Sequence, residues 1–191
     1  MSRVRYSNGI AYLPDASEPT AAEAPEPHRP WLTGLVFVLA FLALQTLWGQ
    51  AKGSALERLW IDTATVKTAV ALIDLFSPEV QASAQGSRIK APGGGINVLN
   101  GCEGTDILFL LAAAFVAFPM PWRSRLAGLG IGLVLVFVLN EVRILALFHA
   151  FRSDRALFDL LHGLVAPIVL IAFAAAYFYA WAYRERLAEA A

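Results

Sequence analysis

Apolar and polar positions are arranged along this chain in long blocks. Three windows, Trp31 to Trp48, Leu126 to Phe148 and Leu160 to Tyr183, are apolar enough and long enough to cross a hydrocarbon core, which takes about 20 such residues. A fourth, Thr105 to Pro119, is shorter. It is expected to span with its glycine-rich lead and Pro-Met-Pro exit in the interfaces, or with local thinning of the bilayer. Between the first and second windows, "ALERLWIDTATVKTAVALIDLF" spaces Leu56, Leu59, Trp60, Val66, Val70, Ile73 and Phe76 at helical intervals. That pattern predicts an amphipathic helix lying on the membrane interface. The following "SRIKAPGGGINVLNG" reads as two short strands around Gly93, Gly94 and Gly95, ending just before Cys102. Residues 1–30 are rich in Pro, Ala and Glu with no apolar period, which predicts a disordered tail.

Composition agrees with this reading, since 58% hydrophobic residues exceed, and 16% charged residues fall short of, what a soluble domain carries. The predicted fold class is an all-α integral membrane protein. It is expected to be a compact bundle of about four transmembrane helices, with an extracytoplasmic amphipathic helix and a short β-hairpin-like segment ahead of Cys102. A membrane-embedded domain over 31–186 is expected to follow the tail, with spans near 31–48, 105–119, 126–148 and 160–183 and an extracytoplasmic segment over 50–104. The first window is longer than the apolar region of a signal peptide and is expected to stay as an anchor. Fifteen Lys and Arg balance fifteen Asp and Glu, so there is no basic footprint for nucleic acid.

Basic residues set the expected orientation. Arg123 and Arg125 between the second and third spans, and Arg184 and Arg186 in the tail, belong in the cytoplasm. The N-terminus, with Arg3, Arg5 and Arg29, joins them, and the loop His149 to Asp159 lies outside, against the pull of Arg152 and Arg155. The expected location is the inner (plasma) membrane, multi-pass, surrounded by lipid.

On this topology three reactive side chains arrive at one depth. Cys102, the single cysteine, stands at the outer mouth of the second span; Arg143 lies five residues before Phe148 near the outer end of the third; His162 opens the fourth. Each has an ordinary explanation: a small buried hydrophobe, a snorkelling cation and a helix cap. An ionisable residue inside a span is costly, however, and three at one level point to chemistry. A thiolate, an imidazole that moves a proton and a fixed cation that stabilises the thiolate or an oxyanion make up nucleophilic acyl transfer. Asn140, on the same helix face as Arg143, is placed to orient the guanidinium or the substrate. Glu103 and Asp106 crowd the cysteine. A metal site built on Cys102 and His162 with Glu103 or His149 lacks ligand spacing, so no cofactor or metal is expected. The rival reading is a non-catalytic assembly or scaffold subunit in which Arg143 pairs with Glu103 or Asp106.

The order "GCEG", "NEVR", "LHGLVAP" across short spans resembles the exosortase/archaeosortase family over roughly Gly86 to Tyr183. Its members are membrane-embedded cysteine proteases or transpeptidases. The resemblance implies that Cys102 is the nucleophile, Arg143 the essential arginine and His162 the general acid/base, with Gly104 in the glycine position after the cysteine. Glu103 stands where many members carry a small residue. The implied partners are exported proteins bearing a C-terminal sorting signal, namely a motif, a transmembrane helix and a basic tail. The implied active site opens at the extracytoplasmic face. Pro25-Glu26-Pro27 imitates such a motif, but it is N-terminal and expected to be cytoplasmic, and is read as linker composition.

Overall fold

The computed structural model describes residues 6–7, 10–11, 30–99 and 102–190. In the N-terminal unit, β1 (Tyr6–Ser7) pairs antiparallel with β2 (Ile10–Ala11), and the rest of the expected tail lies outside the described residues. The second unit begins with α1 (Pro30–Gln50), none of whose residues is buried. Its apolar surface is exposed at Trp31, Leu35, Leu39, Leu42 and Leu47, as suits a helix whose solvent is lipid. A Gln45 Nε2 hydrogen bond to Asp106 Oδ1 at 2.8 Å and an edge-on contact of Trp48 with Phe109 tie it to the bundle.

The predicted amphipathic helix forms as α2 (Ala55–Arg58), a π-helical stretch over Leu59–Val66 and α3 (Lys67–Phe76). It buries Ile61, Thr65, Val66, Ala69 and Ile73, while Leu56, Leu59 and Phe76 of the expected apolar stripe are exposed. The cause is the wider turn: Lys67 N–H bonds to Asp62 O, five residues back, and this shifts the buried face out of the 3.6-residue phase. A short 3₁₀ turn, Pro78–Val80, leads into a three-stranded antiparallel sheet of β3 (Ser83–Gln85), β4 (Arg88–Ala91) and β5 (Gly94–Asn97), one strand more than predicted. Pro92 and Gly93 make the β4–β5 turn; Gly93 adopts φ +87, which suits the third position of a type II turn.

Three antiparallel helices complete the molecule: α4 (Thr105–Ala117), α5 (Trp122–Ser153) and a nearly continuous last helix. That last helix comprises α6 (Arg155–Leu160), a π-helical turn over Leu161–Val165 and α7 (Ala166–Ala190). Helices Pro30–Gln50, Trp122–Ser153 and Arg155–Ala188 are long and apolar enough to cross a membrane. At 13 residues α4 rises only about 20 Å, short of a hydrocarbon core of about 30 Å. The expected outer loop His149 to Asp159 is not a loop. The buried stripe of α5 runs on through Leu147, Phe148 and Ala150, so the helix continues to Ser153. Asp154 alone makes the break, its carboxylate accepting from the N–H groups of Ala156 and Leu157 to cap α6. The last helix therefore starts at Arg155, five residues before the expected Leu160.

Two cores result. One, within the helix bundle, gathers Ile107, Leu111, Phe115, Val136, Leu170 and Ala174. The other gathers Ile61, Val66, Ala69, Ile73, Ile89, Val98, Cys102, Ile144 and Phe148 where the sheet and the α2–α3 arm meet the far half of α5. Glycines set the helix spacing in the first core. A Cβ at Gly128 would run into the rings of Phe115 and Trp181, and one at Gly132 into Leu111 and Tyr177, whereas Gly130 has nothing within 4 Å. Polar anchors fix the same register: Tyr177 Oη donates to Gly128 O at 2.6 Å and Trp181 Nε1 to Ser124 Oγ at 2.9 Å. Gly128→Val is expected to destabilise the protein by about 1–3 kcal/mol through overpacking, while Gly130→Val leaves stability unchanged. Thermal unfolding in detergent micelles checks this; equal loss in both variants would mean that the glycines act only through helix propensity.

Candidate active site

Cys102 sits in the short link between β5 and α4. Two local features hold it. Gly104 takes φ +77, a conformation that side chains resist, and a Cβ there would lie 2.9 Å from Asn140 Cγ. The space left by the glycine admits the Asn140 amide, whose Nδ2 donates to Cys102 O at 3.1 Å. Asn140 thus positions the cysteine backbone; its Oδ1 accepts no hydrogen bond among the described residues. Glu103 is 4% exposed, its Oε1 accepting from Thr105 Oγ1 at 3.1 Å and its carbonyl from Trp60 Nε1 at 3.4 Å.

The antiparallel register carries the other two groups to the same level. Phe115 meets Gly128, Leu111 meets Gly132 and Gly104 meets Asn140, so the start of α4 lies beside residues 140–143 of α5. Trp181 meets Ser124 and Tyr177 meets Gly128, and this spacing carried up the last helix brings His162 opposite Arg143. The outcome is direct: His162 Nδ1 lies 3.6 Å from Cys102 Sγ, and Arg143 Nη2 approaches the same sulfur at 3.9 Å. Cys102 and Arg143 are buried, while His162 is exposed and stacks on Phe158 with ring centroids 5.4 Å apart.

His162 does not open the last helix, as expected from sequence, but stands in its π-helical turn. Ala166 N–H reaches Leu161 O, five residues back. Pro167 supplies the reason: it has no N–H to offer Gly163 O and its ring crowds that carbonyl, and widening the preceding turn relieves both. Cys102, His162, Ile144, Leu147, Phe151, Phe158 and residues 95–98 line a cavity of about 190 Å³.

Of the other residues singled out in the sequence, Asp106 is exposed and engages Gln45 of α1, and it does not line this cavity. His149 is exposed, its ring edge-on to Phe148, and is also absent from the cavity wall. The sequence reading passed over Glu141. This residue is 4% exposed and neither carboxylate oxygen accepts a hydrogen bond among the described residues. Its signal was legible: an acid inside an apolar window, next to Asn140, is too costly to be casual.

Burial pushes the Cys102 thiol above its ordinary range, the Arg143 guanidinium pulls it down and the Glu103 carboxylate pushes it up. The imidazole nitrogen nearest to this thiol is His162 Nδ1, at 3.6 Å. Because Cys102 is the single cysteine, alkylation by iodoacetamide reports on it alone. Arg143→Gln is expected to move the pH profile of alkylation to higher pH, and Glu103→Gln to lower pH. Shifts in the same direction would show that structural loss, not charge, governs the thiol.

No curated protein and no solved structure matches the chain. The family model described as Transmembrane exosortase (Exosortase_EpsH) matches residues 28–180, from the start of α1 through most of α7 and across the whole cavity. With the matched stretch covering most of the sequence, the chain belongs to the transmembrane exosortase family.

Proposed function

We propose that this exosortase is a membrane-embedded cysteine peptidase or transpeptidase, acting on exported proteins that end in a sorting motif, a transmembrane helix and a basic tail. The observation that carries the reading is the meeting of three groups from the β5–α4 link, α5 and the last helix: one thiol within 3.6 Å of an imidazole nitrogen and 3.9 Å of a guanidinium nitrogen. His162 Nδ1 takes the thiol proton as the sulfur adds to the scissile carbonyl, and the S–C bond forms as the carbonyl becomes an oxyanion. The Arg143 guanidinium stabilises the thiolate and the oxyanion. As the oxyanion collapses the C–N bond breaks, and His162 passes its proton to the leaving amine. The remaining thioester is opened by water in hydrolysis or by an acceptor nucleophile in transfer, with His162 again taking the proton.

Depth supports an extracytoplasmic site. From Trp122 to Asn140, α5 rises about 27 Å, close to one hydrocarbon thickness. With Arg123 and Arg125 on the cytoplasmic side, the thiol lies at the opposite membrane face. There it meets a substrate where the sorting motif leaves the bilayer.

The proposal predicts that Cys102→Ala, Arg143→Ala and His162→Ala each lower processing by at least about 100-fold, while His149→Ala stays near wild type. Arg143→Lys keeps the charge and loses the planar fork, and is expected to lose most activity. The measurement is the ratio of processed to unprocessed membrane proteins with C-terminal spans, in cells carrying each variant at matched levels. Full processing with Cys102→Ser would favour a scaffold role; a dead His149→Ala beside an active His162→Ala would reassign the acid/base group.

A further inference from the structure

One wall of the cavity is a strand edge. β5 pairs with β4 on one side, and among the described residues no further strand pairs with its other side. The ladder fixes which backbone groups face which way. Val98 N–H bonds to Ser87 O at 2.8 Å, and the pairing continues in register through Arg88 with Asn97, Ile89 with Ile96, Lys90 with Gly95 and Ala91 with Gly94. Hydrogen-bonded and non-hydrogen-bonded pairs alternate in an antiparallel ladder. Val98, Ile96 and Gly94 therefore spend their N–H and C=O groups on β4, whereas those of Gly95 and Asn97 turn outward. Both residues line the cavity that holds Cys102 and His162. Gly94 and Gly95 bring no side chain to this strand; a Cβ at Gly94 would lie 3.1 Å from the Phe151 ring, and one at Gly95 would strike Ile89 O of β4.

We infer that the free edge of β5 is the substrate-binding strand: the extended segment of the exported protein next to its scissile bond pairs with the outward N–H and C=O groups of Gly95 and Asn97. This inference rests on the peptidase reading and specifies how its substrate binds. The physical need is clear. A peptide bond open to attack cannot sit inside a helix, and an unwound segment at the membrane face leaves backbone groups that must find partners. Among the described residues, the β5 edge supplies a run of unspent backbone donors and acceptors in the wall beside the thiol. Backbone pairing gives affinity without demanding sequence, and selection then falls to the side-chain contacts around Phe151 and Phe158.

The test uses a mixed-sequence pool of tripeptidyl chloromethyl ketones, the same pool with N-methylated backbone amides, and iodoacetamide. All three alkylate Cys102: the S–C bond forms, halide leaves and the thiol proton passes to His162. The unmethylated pool is expected to react with wild type about tenfold faster than the methylated pool, the effect of losing one or two backbone hydrogen bonds. Asn97→Pro removes an outward N–H without removing a ladder bond, and is expected to slow the unmethylated pool about tenfold while iodoacetamide reacts as before. Ala84→Pro, on the exposed opposite edge of the sheet, should change neither rate. Equal rates for the two pools on wild type would overturn the inference, as would an Asn97→Pro variant that reacts with the peptide pool like wild type. Iodoacetamide reacting equally fast with wild type and His162→Ala would instead strike the underlying peptidase reading. Iodoacetamide also reports whether Asn97→Pro has folded, and the methylation comparison needs no variant.

Discussion

The register of α4 and the last helix against α5 is the constraint on which the site depends. It is set where the helices approach most closely, at Gly128 and Gly132, each filled from two sides by Phe115 with Trp181 and by Leu111 with Tyr177. In a lipid surround no hydrophobic force selects one helix register over another. Close packing at small residues and a few interhelical hydrogen bonds must do so. A slip of one turn, about 5.4 Å, would carry His162 or Cys102 out of contact with the other two groups. The packing near the α4–α5 turn thus sets the geometry of the candidate site at the other end of the bundle.

The second core supplies what register alone lacks. α4 is too short to bring Cys102 far from the bundle, so the thiol is held between the helices and an extramembrane cap of sheet and α2–α3 arm. That cap buries the sulfur, which raises its pKa, while Arg143 opposes the effect from the side. His162 reaches the sulfur from a helix that Pro167 widens at that turn, and its ring is exposed.

Backbone geometry around the cysteine serves the same end. Gly104 must be glycine for two independent reasons, its positive φ and the Asn140 amide packed against it, and the hydrogen bond from Asn140 to Cys102 O turns that vacancy into a fixed thiol position. Glu103 is drawn inward by Thr105 and does not crowd the reacting edge, although its charge still reaches the sulfur.

Much of this was legible in the residues. Apolar windows fixed the number and place of the long helices, because lipid leaves a spanning segment no other backbone solution. The expense of ionisable or reactive groups such as Cys102, Arg143 and His162 at helix ends or inside spans marks them in the sequence alone. Other features depended on contacts distant in sequence. The length of α5 past His149 came from burial of Leu147, Phe148 and Ala150 against the extramembrane core, which no window average detects. The π-helical stretch over Leu59–Val66, and the turn of Asp106 toward Gln45, depend on which neighbour each helix meets. The sequence by itself therefore determined the spans, the orientation signals and the reactive residue types, since these follow from local polarity and cost. Only the tertiary structure decided that the thiol and the imidazole share one cavity with a strand edge, with the guanidinium 3.9 Å from the sulfur, because side-chain packing between helices sets distances that spacing along the chain does not encode.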